Sequence, residues 1–205
     1  MFFGVSVETL ENLLMILPIV KYGHPVLRQK GARIESVTPG IKQLITDMFE
    51  TMNANHGVGL AAQQVGHALQ LTVIDVREVA KDRPSTLELN GKPADLAEVM
   101  PLVLINPEIT PVGEPATGGE GCLSFPEIFA EITRPESVDV KALNEKGKLI
   151  EFRCGGLLAR AVQHEKDHLN GILFIDRMER TAKGEFRDEL DALQALTKAE
   201  LKQVK

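Results

Sequence analysis

His164 and His168 stand four positions apart in the segment QHEKDH (residues 163–168), with Glu165 directly after the first of them. On an α-helix such a pair lies on one face, one residue above the other across a single turn. Two imidazoles so placed are two jaws of a metal site, and a glutamate beside them can work on a bound water, which is the chemistry of the H-E-x-x-H pattern. A single histidine on an apolar face is more simply a satisfied core residue; two at this spacing with a glutamate between them reverse that preference. The helix itself is legible in the surrounding run. Leu157, Leu158, Ala161, Val162, Glu165 and Leu169 recur at spacings of three and four, and Gly156 and Gly171 bracket the run as start and stop. The spacing predicts a partly buried helix of about a dozen residues.

A catalytic ion of this kind generally takes three protein ligands and keeps one position open for water. The third ligand must come from elsewhere in the chain. The metzincin extension H-E-x-x-H-x-x-G-x-x-H fits at Gly171 but puts Phe174 where its histidine belongs. Glu185 and Glu189 are candidates of the thermolysin kind, with nothing to distinguish them from solvated surface charges. The cysteines are stronger candidates. Cys122 lies in GGEGCLSFP, where Gly118, Gly119 and Gly121 free the backbone to bend toward an ion; Cys154 precedes His164 by ten residues and also has glycines beside it. Cys122 is favoured over Cys154, with a small buried hydrophobe as the competing reading of it. A thiolate with two imidazoles is a soft donor set, suited to Fe(II), Zn or Ni rather than Mg or Ca.

The elements that must position these residues can be read along the chain. IKQLITDMFETM places Ile41, Leu44, Ile45, Met48 and Met52 at helical spacing, which predicts an amphipathic helix. NHGVGLAAQQVG reads as a glycine-rich loop, LQLTVIDV as a buried strand, and PLVLINPEI as a second strand closed by Asn106-Pro107. Between the two strands, REVAKDRPSTLELNGKPADLAEVM is polar and proline-punctuated and reads as a long surface loop. IFAEITRPESVDVKALNEKGKLIEF predicts two or three antiparallel strands with a turn at Glu145-Lys146-Gly147, and a tail with Phe186, Leu190, Leu193 and Leu201 predicts a last amphipathic helix. The expected class is α+β: antiparallel or mixed β-sheets packed around a central helix that carries the HExxH motif, with a C-terminal helix. GVGLAA formally fits a dinucleotide fingerprint, but that fingerprint follows a strand and opens a helix, and here a helical pattern precedes it. Gly57 and Gly59 are better read as letting the main chain pass close to a ligand.

Composition sets the outer bounds. With 205 residues, 43% hydrophobic and 25% charged, and with neither a repeat nor a low-complexity stretch, the chain reads as one domain over 1–205. A formal net charge of -6 argues against nucleic-acid binding through a broad basic surface. The opening twenty residues hold no Lys or Arg before Lys21 and are broken by Glu8 and Glu11, unlike a secretory signal or a transit peptide. No stretch reaches the roughly 18 uncharged apolar residues of a spanning helix. A cytoplasmic protein with no membrane partner is expected, in which two cysteines read as ligand, nucleophile or inert filler rather than a disulfide.

Three segments together, GVGLAAQQ (57–64), EGCLSFP (120–126) and QHEKDHLNG (163–171), resemble in order and content the signature motifs of the peptide deformylase family. LPIVKYGHPVLRQKG (17–31) is similar to that family's N-terminal stretch, so the likeness spans roughly Leu17 to Arg180. The resemblance implies Cys122, His164 and His168 as metal ligands, Fe(II) as the usual ion with Zn or Ni able to substitute, and removal of the N-formyl group from formyl-methionine at the start of newly made proteins. Glu165, next to a ligand but not one itself, would then take a proton from water and hand it to the leaving amine. The resemblance also implies the Gln64 side-chain amide and the Leu123 backbone N–H as donors to the developing oxyanion, and Gln63 receives no role.

Substrate binding is expected at Val58, Gly59, Glu120 and Leu157. Val58, Leu157 and the helix face around Ala161 would take the methionine side chain, and the backbone at Val58 and Gly59 would pair with the peptide as an added strand. Glu120 and Arg134 would pair to brace the Cys122 loop, and the outer nitrogens of both histidines would find carbonyl or carboxylate partners. Formyl-methionyl nascent peptides are the implied partner, with the ribosome a further one through Lys198, Lys202 and Lys205 at the tail. Residues 1–14 precede the usual family start and are expected to be an extension, with Met15 as the natural initiator, and the stretch from Lys81 to Met100 is expected to be an insertion that modulates substrate entry. Competing readings are a zinc endopeptidase, which would cleave internal peptide bonds, and a non-catalytic metal-binding or ribosome-associated protein, which would be indifferent to Glu165→Ala.

Overall fold

In the computed structural model the described residues are 15–203; the expected extension over residues 1–14 and the tail residue Lys205 lie outside them. Helix α1 (Pro39–Ala54) begins where Thr38 accepts a hydrogen bond from the Ile41 N–H and Pro39 presets the first turn. Its buried stripe of Ile45, Met48 and Met52 matches the period of the sequence. The strands follow as β1 (Gly59–Ala61), β2 (Leu71–Ile74), β3 (Ser85–Leu89), β4 (Lys92–Pro93), β5 (Leu102–Cys122), β6 (Phe125–Leu143) and β7 (Leu149–Gly155). Then come α2 (Gly156–Leu169), the short α3 (Arg180–Glu185) and α4 (Arg187–Gln203). The strands form one seven-stranded sheet in the order β1-β2-β5-β6-β7-β3-β4. Every pairing in it is antiparallel.

Helix α2 lies against the inner face of this sheet. Of its residues only Gly156, Arg160 and Lys166 escape burial. Leu158 and Val162 pack with Leu104, Val138, Val140 and Phe152 in one apolar cluster. Met48 and Met52 of α1 close a second cluster with Leu60, Val73 and Ile105, and Phe125, Ile132, Phe174 and Leu190 form a third that ties the C-terminal segment to the β5–β6 end. Truncating a fully buried leucine such as Leu158 to Ala would cost roughly 2–5 kcal/mol, the transfer term plus the cavity left behind. The α+β architecture with a central motif-bearing helix and a C-terminal helix is as expected, with a single antiparallel sheet in place of several.

Three expectations about local structure are corrected. The segment 77–100 is not a loop: β3 and β4 form a hairpin turned by Asn90 (φ 52°) and Gly91 (φ 72°), and β3 extends the sheet by pairing Thr86, Leu87 and Glu88 with Gly155, Cys154 and Arg153. Its stem also caps the central helix. Gly155 supplies no side-chain cap, and instead the Pro84 carbonyl accepts from the Leu157 N–H at 3.2 Å and Ser85 Oγ from the Leu158 N–H at 3.0 Å, satisfying donors that a helix start leaves free.

β5 does not close at Asn106-Pro107. It runs on to Cys122 through a register shift between Ile105 and Glu108, where Asn106 turns to φ 52° and its side chain bonds both the N–H and the carbonyl of Ile34 at 2.9 and 2.8 Å. Gly118, Gly119 and Gly121 are therefore strand residues paired with Ile132, Glu131 and Phe129, not a free loop. The stretch taken as a glycine-rich loop holds β1 and a 3-10 turn, Ala62–Val65.

Candidate metal centre

Three donors meet where α2 passes the end of β5. Cys122 is the last residue of β5, and its sulfur lies 3.3 Å from His168 Nε2. The ligating atoms of Cys122, His164 and His168 all lie within 4.8 Å of one another, and the two imidazole centroids are 5.1 Å apart. A tetrahedral ion with these donors needs spacings of about 3.5 Å, which small side-chain movements would supply. The donor set is one soft sulfur and two borderline nitrogens, two of the three residues buried, so the residues fit a transition ion. Glu185 and Glu189 are exposed and are not part of the cluster. Cys154 belongs to the α2–sheet core, where burial pushes its thiol up to about 12. Phe174 lies beside the His164 ring at 6.0 Å and fills apolar space.

Around His164 the charges form a bonded chain. Its Nδ1 is 2.9 Å from Glu120 Oε2, leaving the other ring nitrogen to face the sulfur. Arg134 donates to Glu120 through Nε at 2.6 Å and Nη2 at 2.9 Å, and through Nη1 to Asp167 at 2.8 Å. Arg177 grips both oxygens of Asp167 at 2.5 Å, and Arg160 adds a bond to Glu120 at 2.9 Å. The Arg134 and Glu120 side chains are 3% and 4% exposed, so the expected brace is a desolvated bidentate pair. Burial alone would raise the Glu120 pKa, but hydrogen bonds from His164 and Arg134 hold it far below the carboxylate range. Burial opposes a charge on His164, and its bonds to Cys122 and Glu120 outweigh that and lift its pKa.

His168 departs from the expectation. Its Nδ1 is buried with no partner among the described residues, so only one of the two outer nitrogens finds a carboxylate. Burial, with His164 nearby, lowers its pKa well below the usual imidazole value. Glu165 is buried, its Oε2 without a partner among the described residues, and desolvation raises its pKa to about 7. Gly59 passes so close that a Cβ there would stand 2.5 Å from Glu165 Oε1, which is why the strand needs a glycine at this point. Gln64 is anchored by the Ala61 N–H at 2.9 Å and turns its Nε2 toward the Cys122 sulfur at 3.4 Å. Leu123 forms the turn after β5, where its carbonyl accepts from Lys21 Nζ at 2.8 Å.

These groups border a cavity of about 490 Å³ whose walls include Val58, Gly59, Gln64, Leu157, Ala161 and Glu165. All the residues expected to bind metal, carry protons or bind substrate are thus brought to one place. Asp167, Arg160 and Arg177 were not foreseen. Asp167 had a signal, since it lies three residues after His164 on the same helix, whereas the two arginines had none.

Comparison with known proteins agrees with this geometry. A family model described as polypeptide deformylase matches residues 16–184. The peptide deformylase of Opitutus terrae is 44% identical over 190 residues, covering 92% of this chain and 98% of the relative, and that of Methylacidiphilum infernorum is 45% identical over 179 residues, covering 87% and 93%. Among solved structures, the Synechococcus elongatus peptide deformylase in complex with actinonin superposes with a TM-score of 0.71 at 37% identity, covering 92% of this chain and 94% of that one. The Thermus thermophilus peptide deformylase gives 0.74 at 36%, covering 91% and 99%. A model spanning most of the chain, close relatives along nearly their full length and a Cys-His-His cluster at the end of the central helix agree: the chain belongs to the polypeptide deformylase family.

Proposed function

We propose that this protein is a metal-dependent amide hydrolase that removes the formyl group from N-formyl-methionyl peptides and releases formate. The observation that carries the reading is the convergence of Cys122, His164 and His168 beside a buried Glu165, whose Oε2 has no partner among the described residues, at the floor of the cavity. These three residues would hold the ion, and Fe(II) is the ion proposed, with Zn or Ni able to replace it. When bound, such an ion supplies Lewis acidity and a coordinated water whose pKa falls toward neutrality.

Each remaining role falls to a group of the chain. Glu165 accepts the proton that water gives up as its oxygen adds to the formyl carbon. Gln64 Nε2 and the Leu123 N–H donate to the oxyanion that develops on the formyl oxygen, and donors fixed in advance of the reaction are what such a charge needs. As the C–N bond breaks, Glu165 returns the proton to the leaving amine, and formate departs. Glu120, held by Arg134 and Arg160, fixes the His164 ring and so acts on the substrate through it.

The peptide has a place to lie. β1 is an outer strand of the sheet, paired only with β2; the Val58 carbonyl already accepts from the Asp75 N–H at 2.9 Å, so it is the main chain at Gly59 that offers a free edge to an extended peptide. Recognition through main-chain bonds suits an enzyme that must accept many sequences, while Val58, Leu157 and Ala161 offer the methionine side chain an apolar wall. We place the whole chain in one catalytic domain acting in the cytoplasm on nascent peptides; no described helix is long and apolar enough to cross a membrane. Ribosome contact through α4, with Lys198 and Lys202 exposed on it, is part of the proposal, and co-sedimentation with ribosomes before and after removing residues 190–205 tests it.

The enzymatic reading is tested by anaerobic purification, metal analysis and a formate assay on a formyl-methionyl peptide. About one Fe(II) per chain and formate release that Glu165→Ala abolishes are expected. Metal without formate release would refute it.

A further inference from the structure

The stem of the β3–β4 hairpin does more than cap α2. Pro84 and Ser85 seat it on the first turn of the helix that bears both histidines, and the Arg83 N–H bonds the Val79 carbonyl at 3.0 Å. The residue just before this seat, Arg83, therefore has a fixed backbone and an exposed side chain at the mouth of the cavity. Its Nη2 donates to the Gly119 carbonyl at 3.1 Å, and no other acceptor among the described residues engages its guanidinium.

The other cations of the cavity wall are committed. Arg160 donates to Ala116, Gly118 and Ile132 carbonyls and to Glu120, and Lys21 donates to the Leu123 carbonyl. Of the wall carboxylates, Glu120 is saturated by Arg134, Arg160 and His164, and Glu165 is buried. Glu127 is exposed beyond the β5–β6 turn, and Glu131, paired across from Gly119, is exposed with its Oε1 3.4 Å from where a Gly119 Cβ would stand, but neither bonds Arg83; His56 stands at the end of α1. Among the described residues Arg83 is thus the cation of this wall with unused donors and no carboxylate bonded to it. Gly119 precedes Cys122 by three residues of strand, about 10 Å at 3.3 Å per residue. An extended peptide whose formyl group lies at the Cys-His-His cluster spans that distance in two to three residues.

We propose that Arg83 sets substrate preference by pairing with an anionic side chain at the second or third residue of the formylated peptide. The inference rests on the deformylase reading above and adds to it a substrate class. A rim charge of this kind acts mainly on encounter and is weakened by salt, because it remains hydrated.

The test uses the metal-loaded protein and C-terminally amidated peptides, formyl-Met-Xaa-Ala and formyl-Met-Ala-Xaa with Xaa as Glu or Lys, beside the neutral formyl-Met-Ala-Ala. At low ionic strength the wild-type ratio of kcat/KM for Glu over Lys should be about three- to tenfold at one of the two positions, falling toward one in ~0.5 M salt. Arg83→Lys should keep the preference, Arg83→Ala should bring the ratio near one, and Arg83→Glu should invert it. A flat ratio in wild type, or an unchanged one in Arg83→Ala, overturns the inference while brisk formate release from the neutral peptide leaves the parent reading intact. No formate from any peptide overturns both.

Discussion

On the α2 side of the cavity the charged groups from His164 through Glu120 and Arg134 to Asp167 are buried and bonded, and the exposed Arg177 closes the outer end by gripping Asp167. On the side formed by the β3–β4 stem, the charged group is exposed and held by one hydrogen bond, from Arg83 to the Gly119 carbonyl. The first arrangement has little freedom, because a desolvated ion pair that loses a partner leaves a buried charge behind. The second can change with almost no cost to the fold. Chemistry that depends on the placement of one imidazole is built from the former, and preference among substrates can be built from the latter.

The comparison breaks most directly at Glu165, the proposed proton carrier. Glu165→Gln should lower kcat by about 10²–10⁴-fold in the formate assay while the bound ion, measured by elemental analysis, stays near one per chain. Next in size is the centre of the buried chain. Arg134→Met leaves Glu120 and Asp167 facing each other without their shared cation and should cost about 3–5 kcal/mol in denaturant unfolding. Arg83→Ala, by contrast, should leave the unfolding midpoint where it is.

At the outer end of the chain, Arg177→Ala frees one oxygen of a buried carboxylate and lets Asp167 draw Arg134 away from Glu120. Removal of the ion by a chelator should then be faster by about tenfold, and in Arg83→Ala it should not change. The smallest effect concerns a pair outside both regions. Burial alone would raise the Asp176 pKa, but bonds from Arg28 and the Leu173 N–H bring it below the usual value. A carboxylate whose folded pKa is depressed adds stability above its unfolded pKa and loses it as pH falls through the folded one. Arg28→Ala should therefore narrow the acid-side fall in melting temperature below about pH 4, by little, since both side chains are partly exposed.

How much of this was legible in the sequence divides along similar lines. The helix that bears both histidines could be read because four-residue spacing and apolar periodicity are local properties, and the structure gives α2 close to the expected limits. β5 could not, because Pro107, Pro111, Pro115 and four glycines look like breaks. Past Ile105 this strand has β6 on one side only, so a missing N–H can face away from the ladder, and the prolines sit in or beside its register shifts. The β3–β4 hairpin was hidden by its polar composition, since an edge strand needs few core residues and only Leu87 is buried. Its Asn90-Gly91 turn was nonetheless a readable hairpin signal. The Glu120–Arg134–Asp167–Arg177 chain joins residues far apart in sequence and has no pattern to betray it.

The central claim is that the sulfur of Cys122, rather than that of Cys154, completes the site with His164 and His168. Metal content of anaerobically purified Cys122→Ala and Cys154→Ala, each confirmed as folded by circular dichroism, tests it most directly. The account predicts that Cys154→Ala keeps about one ion and its formate release, while Cys122→Ala loses both. A Cys122→Ala protein that still held a stoichiometric ion and released formate would contradict it.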